Sequence, residues 1–294
     1  MTELDLATIE QRWGLHNLRL RRVLLGYGSK GIVHLQAEEG EFVFKWLAAA
    51  TTETTLAQQL ALVAWLPEQG FTHVPRLRQC TTGEAYSRVG EHFGYLYHYV
   101  QGATPVPTPA DYAQLGQLVA TLHQVQGYTH PLAWRTQEIV GHILHDRAPH
   151  VPAEFRADYI ALARSLPVMD HLPHALIHGD LALVNTVKGP DGALTLIDWD
   201  GGGIGVRIFD VAYLIFQWLA DDLTFDLASA QAFFRAYLAS QPLEDQEFTY
   251  LLDMSLLLPL NFILFGNPAQ KWQRIGWLHQ HRAEIMQQLM ALRV

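Results

Sequence analysis

Residues 176–200 read LIHGDLALVNTVKGPDGALTLIDWD. Three polar groups stand out in an otherwise apolar stretch: Asp180, Asn185 five positions on, and Asp198 after a turn. The runs 175–177 (ALI) and 194–197 (LTLI) are short, apolar and rich in β-branched residues, the pattern of strands. Between them, residues 188–192 (KGPDG) supply turn chemistry. A hairpin of that size returns the chain so that Asp198 comes back beside Asn185, with Asp180 on the loop before it. Two oxygen donors side by side with a third carboxylate close by suit Mg²⁺. That ion takes few protein ligands and leaves the rest of its shell to phosphates.

Working outward, the 294-residue length allows two domains or one large one. Apolar residues make up 49% of the chain and charged residues only 17%, which excludes a disordered polymer. The net charge of −9 argues against a nucleic-acid surface, because phosphate-backbone contacts need clustered Lys and Arg. A lone Cys80 has no intramolecular disulfide partner and fits a reducing, cytoplasmic setting. The N-terminal residues 1–14 lack the apolar core of a signal peptide. The run 256–265 is too short to span a bilayer and is interrupted by Asn261, so no membrane role is expected.

The first hundred residues are expected to be β-rich. A short helix over 3–13 precedes strands over 22–26, 32–36 and 41–46. Helical spacing of Leu56, Leu60, Val63 and Leu66 predicts a helix over 51–66, capped by Thr51, Thr52 or Thr54. Further strands are expected at 85–89 and 95–100. The Pro/Gly-rich segment that follows breaks all periodicity, and residues 101–108 are assigned as a hinge. Helices are then expected over 109–126, 135–147, 153–165 and from about 207 onward. The division is thus an N-terminal lobe over 1–100 and a mainly helical lobe over 109–294, an α+β chain whose default ligand site is the cleft between lobes.

Gly26, Gly28 and Gly31 form a GxGxxG pattern, weak when alone. A dinucleotide fingerprint must open a helix, whereas Ile32-Val33-His34-Leu35 continues as a strand. A strand–loop–strand flap is the better reading, its glycines letting backbone N–H groups approach phosphate oxygens. Lys45, 14 positions after Gly31 in the neighbouring strand, is placed to offer an ammonium to the same phosphates. Its usual partner, a Glu on the next helix, is replaced by Gln59 on spacing, with Glu53 near the helix start. Asp180 is a candidate base for an acceptor hydroxyl, Asn185 and Asp198 are candidate Mg²⁺ ligands, and His178 is read as structural. Asp200 is either an outer ligand or a solvated acid. Asp210 is either a helix-start acid favoured by the dipole or a buried carboxylate accepting N–H groups of the 178–180 loop.

Taken in order, the glycine loop (26–31), Lys45, the Pro/Gly hinge, HGDLALVN (178–185), IDWD (197–200) and DVA (210–212) resemble the aminoglycoside phosphotransferase/choline kinase family. Homoserine, thiamine and methylthioribose kinases belong to the same family. The resemblance covers about residues 20–215 and implies a protein-kinase-like bilobal fold. It also implies ATP with Mg²⁺ and transfer of the γ-phosphoryl group to a small-molecule hydroxyl. On that pattern Asp180 is the catalytic base and Asn185 and Asp198 are the metal ligands. Gly26, Gly28, Ser29 and Gly31 cover the phosphates, Lys45 meets the α- and β-phosphates, and Tyr97, Tyr99 and Val100 lie on the adenine-binding segment.

Two departures are visible. Residues 182–184 (ALV) stand where many relatives have His-Pro-Gly, so Ala182 removes a positive charge that protein kinases carry there. Gln59 is neutral where a Glu is usual. Both leave open a nucleotide-binding pseudokinase with a regulatory role. Only 12 positions separate Asp198 from Asp210, which leaves no room for a peptide platform, so the acceptor is a small molecule bound by the C-terminal lobe. Asp221, Asp222 and Asp226 with Trp218, Phe262, Trp272 and Trp277 suit an amine-bearing acceptor, whereas Arg207 suits a carboxylate.

Overall fold

Period-2 alternation over residues 32–47 puts large apolar side chains on both faces of one sheet, and that sheet organises the N-terminal unit. The computed structural model describes residues 5–24, 29–47, 52–129 and 132–292. Gly26 and Gly28 lie outside these residues, and of Ser29 only the backbone is described. The chain divides into two compact units, Met1–Ala103 with Val187–Ile197, and Thr104–Thr186 with Asp198–Val294.

In the first unit, helix α1 (Leu6–Trp13) starts at Asp5, whose carboxylate accepts the Thr8 N–H, and stops at Gly14 in the left-handed region. Strands β1 (Arg19–Leu24), β2 (Ser29–Ala37) and β3 (Gly40–Leu47) follow, then α2 (Glu53–Trp65), capped by Thr52. Strands β4 (Leu77–Arg78), β5 (Tyr86–Val89) and β6 (His92–His98) complete the sheet. Its order is β1-β2-β3-β6-β4, with β5 on β6, and every pairing is antiparallel. One face buries Leu35, Phe42, Phe44 and Leu96 against Ile9 and Trp13 of α1. On the other, Leu47 and Tyr95 pack on Leu56 and Leu60 of α2. By alternation along β3, Lys45 shares the face of Leu47, and it is only 1% exposed.

The second unit begins with α3 (Pro109–Gln124), where Thr108 caps and Pro109 takes the first helical position. After β7 (Leu132–Trp134), α4 (Thr136–His142) passes into a single wide turn over Ile143–Arg147, and α5 (Ala153–Ser165) follows. Strand β8 (His174–Ile177) precedes the loop of interest, which leads to β9 (Thr186–Lys188) and β10 (Leu194–Leu196). Strand β11 (Gly203–Val206) then runs into α6 (Ile208–Gln217), α7 (Leu227–Leu238), α8 (Asp245–Asn261), α9 (Pro268–Gln280) and α10 (Arg282–Met290). Pro259 inside α8 and the helix end at Asn261 leave carbonyls to satisfy. Tyr159 donates to Leu260 O, Arg147 to Asn261 O, and Lys271 to Phe262 O and Phe265 O.

Residues 186–196 do form a hairpin, yet all of it after Thr186 groups with the first unit rather than the second. Ala103 and Lys188 exchange backbone hydrogen bonds, and His73 donates to Leu194 O while its own carbonyl accepts the Leu196 N–H. The strand at 174–177 does not join this hairpin; β8 pairs with β11, which pairs in parallel with β7. Among the described residues no helix is long and apolar enough to cross a membrane.

Candidate active site

The backbone of the loop between β8 and β9 is anchored first from α6. Asp210, in the first turn of α6 and fully buried, accepts the His178 N–H at 2.7 Å on Oδ2 and the Gly179 N–H at 2.8 Å on Oδ1. Of the two readings open for this residue, the structure takes the buried carboxylate. Hydrogen bonds to a carboxylate are shorter and roughly twice as strong as those to a neutral acceptor, so two of them hold the loop backbone firmly. Gly179 has φ +79°, and an added Cβ on Gly201 would sit 3.2 Å from the Gly179 carbonyl carbon, so the two backbones meet at close range. Farther along, Gln217 at the end of α6 donates to Leu181 O at 2.8 Å. His178 is buried with its ring edge-on to Trp199, a packing role.

On this held loop, Asn185 donates Nδ2 to the Asp180 carbonyl at 2.8 Å and to Asp180 Oδ2 at 3.0 Å. The single turn over Leu183–Asn185 places it, closed by the Asn185 N–H to Ala182 O. Burial holds the Asp180 carboxyl above the ordinary carboxylate range; the charges of Asp198 and Asp210 push the same way, opposed by His178 and the Asn185 bond. Tyr213 on α6 feels the same group. Burial first, and the Asp180 charge second, push its hydroxyl up to about 12.

Asp198 follows β10 by two residues and occupies the left-handed region at φ +63°, ψ +62°. Asp and Asn enter that region more readily than other residues with a Cβ, and non-glycine residues held there gather at functional positions. It opens the turn Trp199–Gly201, which carries Asp200, partly exposed. The hairpin therefore starts directly after Asn185 and ends two residues before Asp198. Among the described residues no three His, Cys, Asp or Glu side chains converge on one point. A carboxylate and a side-chain carbonyl completed by phosphate oxygens is nonetheless a donor set that Mg²⁺ accepts.

In the first unit, Lys45 lies on the central strand, its Cα paired with Ile32 on one side and Tyr95 on the other. Gly31 has a packing reason of its own: a Cβ there would lie 2.3 Å from the Trp46 indole. Tyr97 is on β6 opposite Val43, and Val100 lies just past the strand. Tyr99 stacks on His34 with centroids 3.9 Å apart and accepts a hydrogen bond from Arg22. Glu53 accepts from the Tyr86 hydroxyl, and Gln59 is partly buried mid-way along α2.

Several acceptor candidates are committed elsewhere. Arg207 is held bidentately by the buried Glu247, at 2.6 and 2.5 Å, so it does not offer a free guanidinium to a carboxylate. Asp226 caps α7, Asp221 pairs with Arg274, and Trp218 is buried among Tyr112, Phe233 and Phe234. Trp272 stacks on Phe155, and Trp277 on His281.

Comparison with known proteins shows the family and the fold. Residues 20–249 match APH, the phosphotransferase enzyme family. A homoserine kinase of Bradyrhizobium sp. (strain BTAi1) is 27% identical over 242 residues, covering 78% of this chain and 73% of that protein. An amicoumacin kinase solved with AMP-PNP, Ca²⁺ and Ami superposes with TM-score 0.67 at 14% identity, over 97% of this chain and 93% of the other. An aminoglycoside phosphotransferase of Alicyclobacillus acidocaldarius gives TM-score 0.62 at 17% identity, over 96% and 94%. With the family matched over most of its length and the protein-kinase-like fold in place, the chain belongs to the phosphotransferase enzyme family, as a kinase of small molecules.

Proposed function

We propose that the protein transfers the γ-phosphoryl group of ATP, with Mg²⁺, to a hydroxyl of a small amine-bearing acceptor. The observation that carries this reading is the clamp on Asp180: its backbone neighbours are held by Asp210, and its carboxylate by Asn185. Asp180 orients the acceptor hydroxyl and takes its proton as the oxygen bonds to phosphorus and ADP leaves, a role worth roughly 10²–10⁴-fold. The raised pKa of its carboxyl suits a group that must hold a proton briefly near neutral pH.

Asn185 and Asp198 would hold Mg²⁺, which when bound neutralises phosphate charge. With Nδ2 engaged by Asp180, Asn185 has its Oδ1 left as the donor atom. Lys45, on the central strand, is proposed to meet the α- and β-phosphates. The segment of Tyr97, Tyr99 and Val100 is proposed to line the adenine, and Ser29 and Gly31, with Gly26 and Gly28, the phosphates. The homoserine kinases among the relatives support an acceptor that is an amino acid or amino alcohol.

The test is ADP release by purified protein with Mg²⁺–ATP and L-homoserine, ethanolamine, choline or an aminoglycoside, followed by ³¹P NMR of the product. Transfer to one of them that depends on Mg²⁺ and on Asp180 is expected. Nucleotide-dependent thermal stabilisation with no transfer to any hydroxyl would instead establish the pseudokinase.

A further inference from the structure

The Asp210 carboxylate that holds the loop is itself met from behind. His123 on α3 is fully buried, with Nε2 3.4 Å from Asp210 Oδ2 and Nδ1 2.8 Å from the Tyr237 hydroxyl on α7. The two helices touch closely enough to make this possible. A Cβ on Gly116 would lie 2.4 Å from Phe233 O and 3.2 Å from Tyr237 N. Gly116 is seven residues before His123 and Phe233 four before Tyr237, so both pairs repeat on one helical face.

The direction of the chain follows from chemistry. The Tyr237 hydroxyl is buried and its one hydrogen-bond partner among the described residues is His123 Nδ1, so its proton is satisfied only by donating there. Nδ1 of His123 then accepts, which places the ring proton on Nε2, facing Asp210. Every donor and acceptor along the chain then has its partner. At 3.4 Å the Nε2 contact is long for a hydrogen bond, so it acts by orienting an N–H dipole at the carboxylate.

We propose that His123, locked by Tyr237 as its Nε2–H tautomer, is a positioning residue that fixes Asp210 and, through it, the backbone of the 178–180 loop. Its catalytic meaning rests on the reading of Asp180 given above; the mechanical coupling does not.

The test therefore has arms that need no acceptor. Ring ¹⁵N shifts of His123 in the intact protein should report the Nε2–H tautomer; an Nδ1–H pattern would overturn the proposal. Amide exchange should then be followed over the peptide containing His178 and Gly179 in His123→Leu, His123→Gln and Tyr237→Phe. Leu fills the volume without a donor, whereas Gln restores a donor near the Nε2 position. Exchange of about tenfold or more above wild type is expected in His123→Leu, a smaller rise in Tyr237→Phe, and near-native protection in His123→Gln. Equal protection in the Leu and Gln variants would show that only volume matters and would sink the idea; Tyr237→Phe and the tautomer still decide if the Leu variant does not fold. With L-homoserine and Mg²⁺–ATP, kcat should fall in His123→Leu while KM for ATP holds. If wild-type protein does not phosphorylate L-homoserine, that acceptor fails and the exchange arms judge His123 alone.

Discussion

The side-chain amide of Asn185 reaches Asp180 twice, at its carbonyl and at its carboxylate, 2.8 and 3.0 Å away. One residue thus ties down both the path and the rotamer of the other. The proton affinity of Asp180 is the balance: burial raises its pKa and the Asn185 bond lowers it. In the protein without nucleotide, a raised native pKa means the folded state binds this proton more tightly than the unfolded chain, whose Asp titrates near about 3.9. That contribution favours folding at low pH and is lost as pH rises through the native value. Asp180→Asn should therefore be more thermostable than wild type at neutral pH, while transferring phosphoryl roughly 10²–10⁴-fold more slowly. The Tm advantage should disappear as pH falls to about 4. Melting curves across pH check it, and an Asn variant less stable than wild type at pH 7 would contradict the burial argument.

Asp198 gives the second prediction, because its side chain and its backbone make separate demands. Its φ of +63° is poorly tolerated by any residue with a Cβ except Asn and Asp. Asp198→Ala should abolish Mg²⁺–ATP-dependent transfer and also lower stability by about 1 kcal/mol. Asp198→Gly should abolish transfer equally while leaving stability close to wild type, since glycine accepts this conformation freely. Parallel turnover assays and urea titrations separate the two effects. Residual transfer above a few per cent of wild type in the Gly variant would remove Asp198 from the proposed metal pair.

What the sequence made legible was local. Asp180, Asn185 and the 188–192 turn lie within a dozen residues, so spacing alone places them around a hairpin. The alternation of Phe42, Phe44 and Leu35 likewise places the N-terminal strands. Strand β11 was not legible, because residues 201–205 (GGGIG) read as loop. Its order comes from pairing with β8 and β7, and Gly205 is tolerated because a Cβ would lie 2.5 Å from the Ile177 side chain. His123 and Tyr237 are 114 positions apart and carry no motif. Arg207 looked available to an acceptor only because its partner Glu247, 40 positions away, has no sequence signature.

Close packing of α3 on α7 makes a third prediction. At Gly116 an added methyl meets the backbone of α7, not a side chain that can rotate away. Gly116→Ala should cost roughly 1–3 kcal/mol despite the higher helix propensity of Ala, because the helices must separate. The same shift draws Tyr237 from His123, so amide protection at His178 and Gly179 should fall as well. Chemical denaturation with amide exchange reads both, and a variant more stable than wild type would show that α7 gives way at no cost.

The pair Arg207–Glu247 supplies the last. Glu247 is fully buried, and the Arg207 guanidinium also donates to Pro242 O, so the carboxylate has its counter-charge and little water. Removing one member strands the other: Arg207→Met should destabilise the protein by about 3–5 kcal/mol. Neutralising the stranded charge should undo much of that loss. Glu247→Gln is the better choice for the second change, because its amide oxygen can still accept the Glu244 N–H that Glu247 takes at the start of α8. The double variant Arg207→Met/Glu247→Gln should therefore sit well above the single Arg207→Met variant in urea midpoint. Because Arg207 is engaged by Glu247, KM for the acceptor should hold in whichever of these variants remains folded at the assay temperature. A KM rise of tenfold or more (about 1.4 kcal/mol) with stability intact would return Arg207 to the acceptor site.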